Sequence, residues 1–216
     1  MPYEYKGVKI YWLGHDSFRI SDGATIYVDP YNIAGGPPAD IILISHDHFD
    51  HLSLDDIRKV VKDDTVIVAA RHCGQQLKGF KNIELVVAGS KVSVKGVEIE
   101  AVPAYNVNKF KEPGVVFHTK AYGGVGFIIN IGGVRIYHAG DTDLIDEMKN
   151  FRVDVALLPV SGTYVMTAEE AAQAANIIKP SVAIPMHYGA IVGSVADAQE
   201  FKRRCNCEVV ILSKER

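Results

Sequence analysis

Residues 40–51 read DIILISHDHFDH, an apolar run followed at once by a dense cluster of metal-binding residue types. The run from Ile41 to Ile44 predicts a fully buried strand, because a short continuous apolar stretch between polar residues is typical of one. Imidazole and carboxylate groups are suitable ligands for zinc and related divalent ions. A solvated loop, or capping residues for the next helix, would not account for so many histidines and aspartates at residues 46–51. The stretch therefore predicts a metal site at a strand end, with four candidate ligands: His46, His48, Asp50 and His51.

Two later segments repeat this arrangement. Asp141 lies in Ala-Gly-Asp-Thr just after the predicted strand Val134–His138, and His187 follows a predicted strand at residues 182–184. Alone, each signal is weak, since an Asp after Gly is more often a turn residue. Because all three segments start where a strand leaves the core, we expect them to meet at one site.

The order of predicted elements indicates the fold class. Short strands fill the first 45 residues, more strands follow a helix, and the last third alternates strand and helix. Ser53 and Thr167 are predicted N-caps, Thr167 forming a capping box with Glu170. We also expect a helix near residues 72–77, a long functional loop at 103–124 and a last strand at 209–212. This pattern predicts two sheets covered outside by helices, a four-layer αββα sandwich of the α/β class in one domain, residues 1–216.

Composition excludes several other classes. The net charge is −3 and 48% of residues are hydrophobic, so no basic nucleic-acid surface is evident. No apolar run approaches the roughly 20 residues that span a bilayer, and no signal peptide is visible, so we expect a cytoplasmic protein. The odd cysteine count argues against a disulfide framework and favours structural thiols at Cys73, Cys205 and Cys207. A homo-oligomer is left open.

With these residues in view, the whole chain resembles the metallo-β-lactamase superfamily. It is most similar to the branch that contains L-ascorbate-6-phosphate lactonase and N-acyl-phosphatidylethanolamine phospholipase D. The shared motifs are Leu13-Gly14-His15, Val28-Asp29-Pro30 and Ala139-Gly140-Asp141-Thr142. The resemblance implies the αββα fold and two divalent metal ions, zinc first, with manganese or iron as alternatives. It makes His46 and His48 ligands of the first ion, makes Asp141 a bridge, and gives the second ion Asp50, His51 and His187.

One position departs from the family pattern. The remaining first-site histidine of the family normally ends the strand near residues 97–104, where this chain has Asn106, a poorer zinc ligand than imidazole. His118, twelve residues on, is the preferred replacement. Asn106 itself, a single tightly held ion, or completion by water or substrate are the alternatives.

Further polar residues are candidates of lower rank. His15 has either a pocket role or a structural one, His138 is expected to be packed, and His72 is expected on the surface. Tyr188 could donate to a substrate oxyanion or simply be packed. Three loop lysines could meet an anionic substrate, although a solvated loop face is the simpler interpretation: Lys109, Lys111 and Lys120.

The predicted mechanism is hydrolysis by a metal-held hydroxide, because metal binding lowers the pKa of water from about 15.7 to about 7. Asp50 and Asp141 would orient this hydroxide, and one of them is a candidate to carry a proton to the leaving group. The branch resemblance favours an ester, lactone or phosphodiester bond in a small, phosphorylated substrate. A di-iron redox protein is disfavoured, because such relatives carry glutamate in place of His48 and need a flavin domain. A non-enzymatic metal-binding or sensing module is the remaining alternative, supported only by Asn106.

Overall fold

The first sheet follows the chain in order. The computed structural model describes residues 1–215. Neighbouring strands are antiparallel from the first to the fourth and parallel from the fourth to the seventh. The strands are β1 (Tyr3–Tyr5), β2 (Val8–Gly14), β3 (Ser17–Asp22), β4 (Ala24–Val28), β5 (Ile41–Ile44), β6 (Val66–Ala70) and β7 (Ile83–Val86).

The second half of the chain builds a second seven-stranded sheet and a small hairpin. The hairpin is β10 (Phe110–Glu112) with β11 (Val115–Val116), which turns at Pro113-Gly114. The sheet has the order β16-β15-β14-β13-β12-β9-β8, with parallel pairing from β13 to β16. Its strands are β8 (Lys91–Val94), β9 (Val97–Pro103), β12 (Val125–Ile131), β13 (Val134–His138), β14 (Val155–Pro159), β15 (Val182–Met186) and β16 (Glu208–Val209).

Three of the crossovers between parallel strands contain an α-helix. The helices are α1 (Leu54–Val60), α2 (Ala168–Ile178) and α3 (Val195–Arg204), and α2 packs against both α3 and β14. Ser53 caps α1, and Thr167 with Glu170 forms the capping box of α2, which confirms both predicted caps. The helices flank the two mixed sheets, so the predicted αββα sandwich is confirmed.

The central parallel strands are buried on both faces. Every residue of β5, β14 and β15 is buried, as expected for strands with a sheet or helix on either side. The carboxyl ends of these strands are therefore rigid starting points for the loops that follow them.

Local structure differs from the sequence expectations in three places. The segment expected to be a helix near residues 72–77 is a 3₁₀ turn at Arg71–Gln75. Gly74 lies inside it, against the Leu85 side chain, and glycine disfavours an α-helix. The loop at 103–124 contains the unpredicted β10–β11 hairpin, and the expected strand at 209–212 is reduced to Glu208–Val209.

Within residues 1–215, no helix has the length and apolar character needed to cross a membrane. All three cysteines in this range are free, and Cys73 is buried.

The buried carboxylate of Asp56 ties α1 to the loop after β4. Its oxygens accept hydrogen bonds from the backbone N–H groups of Asn32 at 2.8 Å and Ile33 at 3.1 Å, and Lys59 Nζ lies 2.8 Å away. Although burial opposes ionisation, these donors lower the pKa of Asp56.

We expect Asp56→Asn to destabilise the protein by about 1–2 kcal/mol at pH 7, because an amide cannot accept the full set of bonds. A carboxyl with a lowered native pKa stabilises the fold above its unfolded pKa of about 3.9, and this stability is lost as pH falls through the native pKa. The difference in the free energy of unfolding between wild type and Asp56→Asn should therefore shrink from pH 7 to pH 3. Urea denaturation followed by Trp12 fluorescence measures it at both pH values. Asp55→Asn is the control, because that neighbouring side chain is 92% exposed. An equal loss of unfolding free energy in Asp56→Asn at pH 7 and pH 3 would contradict stabilisation by the ionised carboxylate.

Candidate metal centre

The candidate ligands come from separate segments that meet at one edge of the sandwich. His46 follows β5, Asp141 follows β13 and His187 follows β15, as their positions in the sequence predict. His118 comes from the loop between β11 and β12. The structure thus brings together all seven residues proposed as ligands: His46, His48, Asp50, His51, His118, Asp141 and His187.

The first group contains three imidazoles and one carboxylate oxygen. His48 Nδ1 lies 3.1 Å from His46 Nε2 and 3.3 Å from His118 Nε2. Asp141 Oδ2 lies 3.8 Å from His46 Nε2 and 3.7 Å from His118 Nε2. Four donors bound to a tetrahedral zinc ion at about 2.0–2.1 Å stand roughly 3.4 Å apart, so the spacing of this group fits a metal ion.

The second group uses the other oxygen of the same aspartate. Asp141 Oδ1 lies 3.3 Å from His51 Nε2 and 3.5 Å from His187 Nε2. These three atoms are buried and lack hydrogen-bond partners within residues 1–215. Asp50 Oδ2 lies 3.9 Å from His51 Nε2. Orphaned donors and acceptors facing one another are the signature expected of a polar cavity that binds an ion.

Behind three of the histidines, protein groups orient the ring. His51 Nδ1 donates to Asp29 at 2.8 Å, and His46 Nδ1 donates to Ser45 Oγ at 2.9 Å. Ser161 Oγ lies 2.9 Å from His187 Nδ1. Each bond occupies Nδ1 and leaves Nε2 for the centre, which selects the ligand tautomer. The sequence placed Asp29 in a shared motif, but no sequence signal identified Ser45 or Ser161 as orienting residues.

The backbone at this edge is strained. His15, Asp29 and His187 have φ angles of 51°, 43° and 59°, a region that non-glycine residues rarely adopt. Gly140 has φ 61°, and a Cβ there would lie 2.9 Å from the Val125 carbonyl oxygen. Strain of this kind gathers at functional sites, where the surrounding fold holds it in place.

Charge in the centre is arranged to attract cations. Burial lowers the pKa of His46 well below its usual range, and the neighbouring His51 lowers it further. Burial also opposes protonation of His51, but Asp141 holds its pKa well above the usual value. In turn, although burial disfavours ionisation, His51 and His187 hold the pKa of Asp141 well below its usual range. A divalent cation can take the place of protons held between these groups.

Asn106 lies behind His118 rather than facing the centre. Its Oδ1 accepts from the His118 backbone N–H at 2.9 Å and from His118 Nδ1 at 2.8 Å. Its Nδ2 donates to Asp143 Oδ1 at 3.1 Å and to the Tyr164 carbonyl at 2.8 Å. All four hydrogen-bonding positions of the amide are therefore occupied, and two of them hold His118.

Among the remaining histidines, His15 contacts Asp50, with 3.1 Å between Nε2 and Oδ2. His138 is packed as expected, donating from Nε2 to the Asp16 carbonyl at 2.8 Å. The expectation that His72 is a surface residue is wrong, since its ring is half-buried against Tyr122 with the centroids 4.4 Å apart.

The other candidates of lower rank also have defined surroundings. Tyr188 is buried and stacks on Trp12, 4.9 Å between centroids. Lys109 is not part of a solvated loop face, because its ammonium pairs with Asp143 at 3.2 Å and Glu170 at 2.7 Å. Lys111 is exposed, and Lys120 is an exposed partner of Glu147.

An αββα sandwich with two imidazole-carboxylate clusters at one edge defines a class of metal-binding proteins, and comparisons with known proteins identify its family. The model of the beta-lactamase superfamily domain matches residues 9–187. A UPF0173 metal-dependent hydrolase of Methanopyrus kandleri is 35% identical over 95% of this chain and 96% of its own length. Another, from Methanoculleus marisnigri, is 37% identical over 91% and 88%.

Solved structures agree. A crystal structure of a protein from Parabacteroides distasonis has a TM-score of 0.85 and 32% identity, covering 100% of this chain and 98% of the other. Igni18, a metallo hydrolase from Ignicoccus hospitalis, has a TM-score of 0.77 and 27% identity, covering 97% and 96%. The chain belongs to the metallo-β-lactamase superfamily and, within it, to the family of the UPF0173 metal-dependent hydrolases. The predicted superfamily resemblance is confirmed.

We expect Asn106→Ala to weaken the binding of one metal ion by about 10- to 100-fold, because His118 loses the acceptor that fixes its tautomer and orientation. Competition with a chromophoric chelator measures this affinity. Asn108→Ala is the matched control, since the Asn108 side chain bonds only to Glu170 and Lys109 on the surface. Unchanged affinity in Asn106→Ala would show that the amide does not position the ligand.

Proposed function

We propose that this protein is a hydrolase that uses two divalent metal ions. His46, His48 and His118 would hold the first ion, and Asp50, His51 and His187 the second. Asp141 would bridge them. The observation that carries the proposal is the division of the Asp141 carboxylate, with Oδ2 facing the first histidine group and Oδ1 the second. The names of the relatives, metal-dependent hydrolases, support the reaction class.

The ions would supply Lewis acidity and lower the pKa of a bound water to about 7. The chain's own residues supply orientation and proton handling. The Asp50 side chain is 14% exposed, so it is reachable from solvent. Burial raises its pKa, but the contact with His15 outweighs this and lowers it, so Asp50 is an ionised carboxylate able to accept a proton. Asp141, 5% exposed, is better placed to orient than to exchange protons with solvent.

The proposed substrate is a small ester, lactone or phosphodiester. A phosphorylated substrate draws no support from the loop lysines, since Lys109 and Lys120 are paired with carboxylates. Its negative charge would have to meet the metal ions instead. Beside Asp50, the exposed ring of Phe49 and the ring of Tyr31 lie 5.8 Å apart and offer an apolar surface to the rest of a substrate.

Imidazole-rich coordination favours zinc, with manganese or iron as alternatives. The non-enzymatic alternative rested on Asn106. His118 Nε2 lies 3.3 Å from His48 Nδ1, which supports the enzymatic proposal instead. A cytoplasmic location and a homo-oligomer remain predictions from the sequence.

The first test is metal content, measured by mass spectrometry on protein purified without added metal. We expect about two ions per chain in the wild type and about one in His118→Ala, because the first group loses an imidazole. His72→Ala is the matched control, a half-buried histidine outside both groups. It should retain two ions. Two ions in His118→Ala would remove His118 from the ligand set, and one or none in the metal-supplemented wild type would contradict the two-metal centre.

The second test is activity against p-nitrophenyl esters, lactones and bis(p-nitrophenyl) phosphate. We expect hydrolysis of at least one class, abolished by chelation and restored by added metal. His118→Ala should reduce kcat by at least about 100-fold, the scale lost with one electrostatic contributor, while His72→Ala stays near wild type. A fully metallated protein that hydrolyses none of these classes would count against the proposed bond types.

A further inference from the structure

Asp16 has a buried carboxylate that the proposed ligand set does not use. It lies between β2 and β3, and its exposed fraction is 0%. Neither Oδ1 nor Oδ2 has a hydrogen-bond partner among residues 1–215. A buried carboxylate without donors is costly, so its retention implies a compensating positive charge.

The side chain faces the second ligand group. Asp16 Oδ2 lies 3.5 Å from His51 Nε2 and 4.0 Å from His187 Nε2, and both nitrogens also lack hydrogen-bond partners. The Asp16 backbone is held from behind, since His138 donates to its carbonyl oxygen. The backbone of Asp16 is therefore anchored, and its carboxylate faces the centre.

These distances suit a shared ion better than direct contact. N–H···O hydrogen bonds are usually 2.7–3.2 Å long, shorter than either separation. Two ligand atoms on one tetrahedral ion, each about 2.0–2.2 Å from it, stand roughly 3.4 Å apart. Asp16 Oδ2, His51 Nε2, Asp141 and His187 Nε2 all lie close enough together to hold one ion.

Asp50, the expected second-site carboxylate, is farther away and already engaged. Its Oδ2 lies 3.9 Å from His51 Nε2, against 3.5 Å for Asp16 Oδ2, and it contacts His15 Nε2 at 3.1 Å. Asp16 is therefore the better placed of the two to complete the second group.

We infer that Asp16 is an additional protein ligand of the second metal ion, together with His51, Asp141 and His187, with Asp50 as the more solvent-accessible fifth donor. This rests on the proposed two-metal function and deepens it. A third carboxylate makes the second site more anionic and richer in oxygen than the first, which has three imidazoles. The two sites should therefore differ in metal preference, the second accepting a harder ion such as Mn²⁺ more readily.

The test is stepwise metal titration of metal-stripped protein by calorimetry, with Zn²⁺ and Mn²⁺. We expect Asp16→Asn to bind the first ion as the wild type does and the second about 10- to 100-fold more weakly. The metal-free variant should melt above metal-free wild type, because a buried carboxyl group that lacks hydrogen-bond donors is replaced by a neutral amide, and it should gain less from added metal. Asp56→Asn is the matched control, a buried carboxylate with hydrogen-bond partners, and should lose stability without a change in either affinity.

Two ions bound by Asp16→Asn and Asp16→Ala with wild-type affinities would overturn the inference and leave the two-metal proposal intact. Wild type that binds fewer than two ions would overturn both. A measurement on the wild type alone guards against variants that do not fold. The second equivalent of Co²⁺ should give the weak visible absorption of a five- or six-coordinate ion, and an intense tetrahedral-type band would overturn the inference.

Discussion

The buried carboxylate of Asp141 is the constraint on which the rest of the centre depends. Each of its two oxygens faces a different set of histidine nitrogens, and the side chain is 5% exposed. A charged group in such a position is tolerated only when opposite charge surrounds it. The fold must therefore deliver two groups of positive or metal-bound partners to either side of one residue, and it must hold them there.

Strand ends meet this requirement. β5 and β15 are buried and β13 is buried at four of its five residues, and the candidate ligands follow within a few residues of each strand end. The left-handed backbone at His15 and His187 turns the chain sharply at this edge. Because a buried strand cannot shift without breaking its sheet, the positions of the ligand backbones are determined by the core.

A layer of hydrogen bonds then orients the rings. Asp29, Ser45, Asn106 and Ser161 each accept from the Nδ1 of a different histidine and turn its Nε2 towards the centre. Asp143 extends this layer, since it accepts from Asn106 Nδ2 and from the backbone N–H groups of Val107 and Asn108. The loop that carries His118 is therefore anchored at Asp143, two residues from Asp141, which links the positions of these two candidate ligands.

The sequence by itself determined the sandwich and most of the candidate ligand set, because both follow from local patterns. The apolar run at Ile41–Ile44 predicts a buried strand, and the residues after it are ligand types whatever the rest of the chain does. Local sequence patterns could not determine the position of His118, which depends on how the long loop at residues 103–124 folds over the centre. Nor could it reveal that Asn106 supports this histidine or that Asp16 is left without a partner, since both depend on contacts between distant segments. Burial, hydrogen-bond partners and distances between ligand atoms arise only when the two sheets pack together, and so the tertiary structure alone decided them.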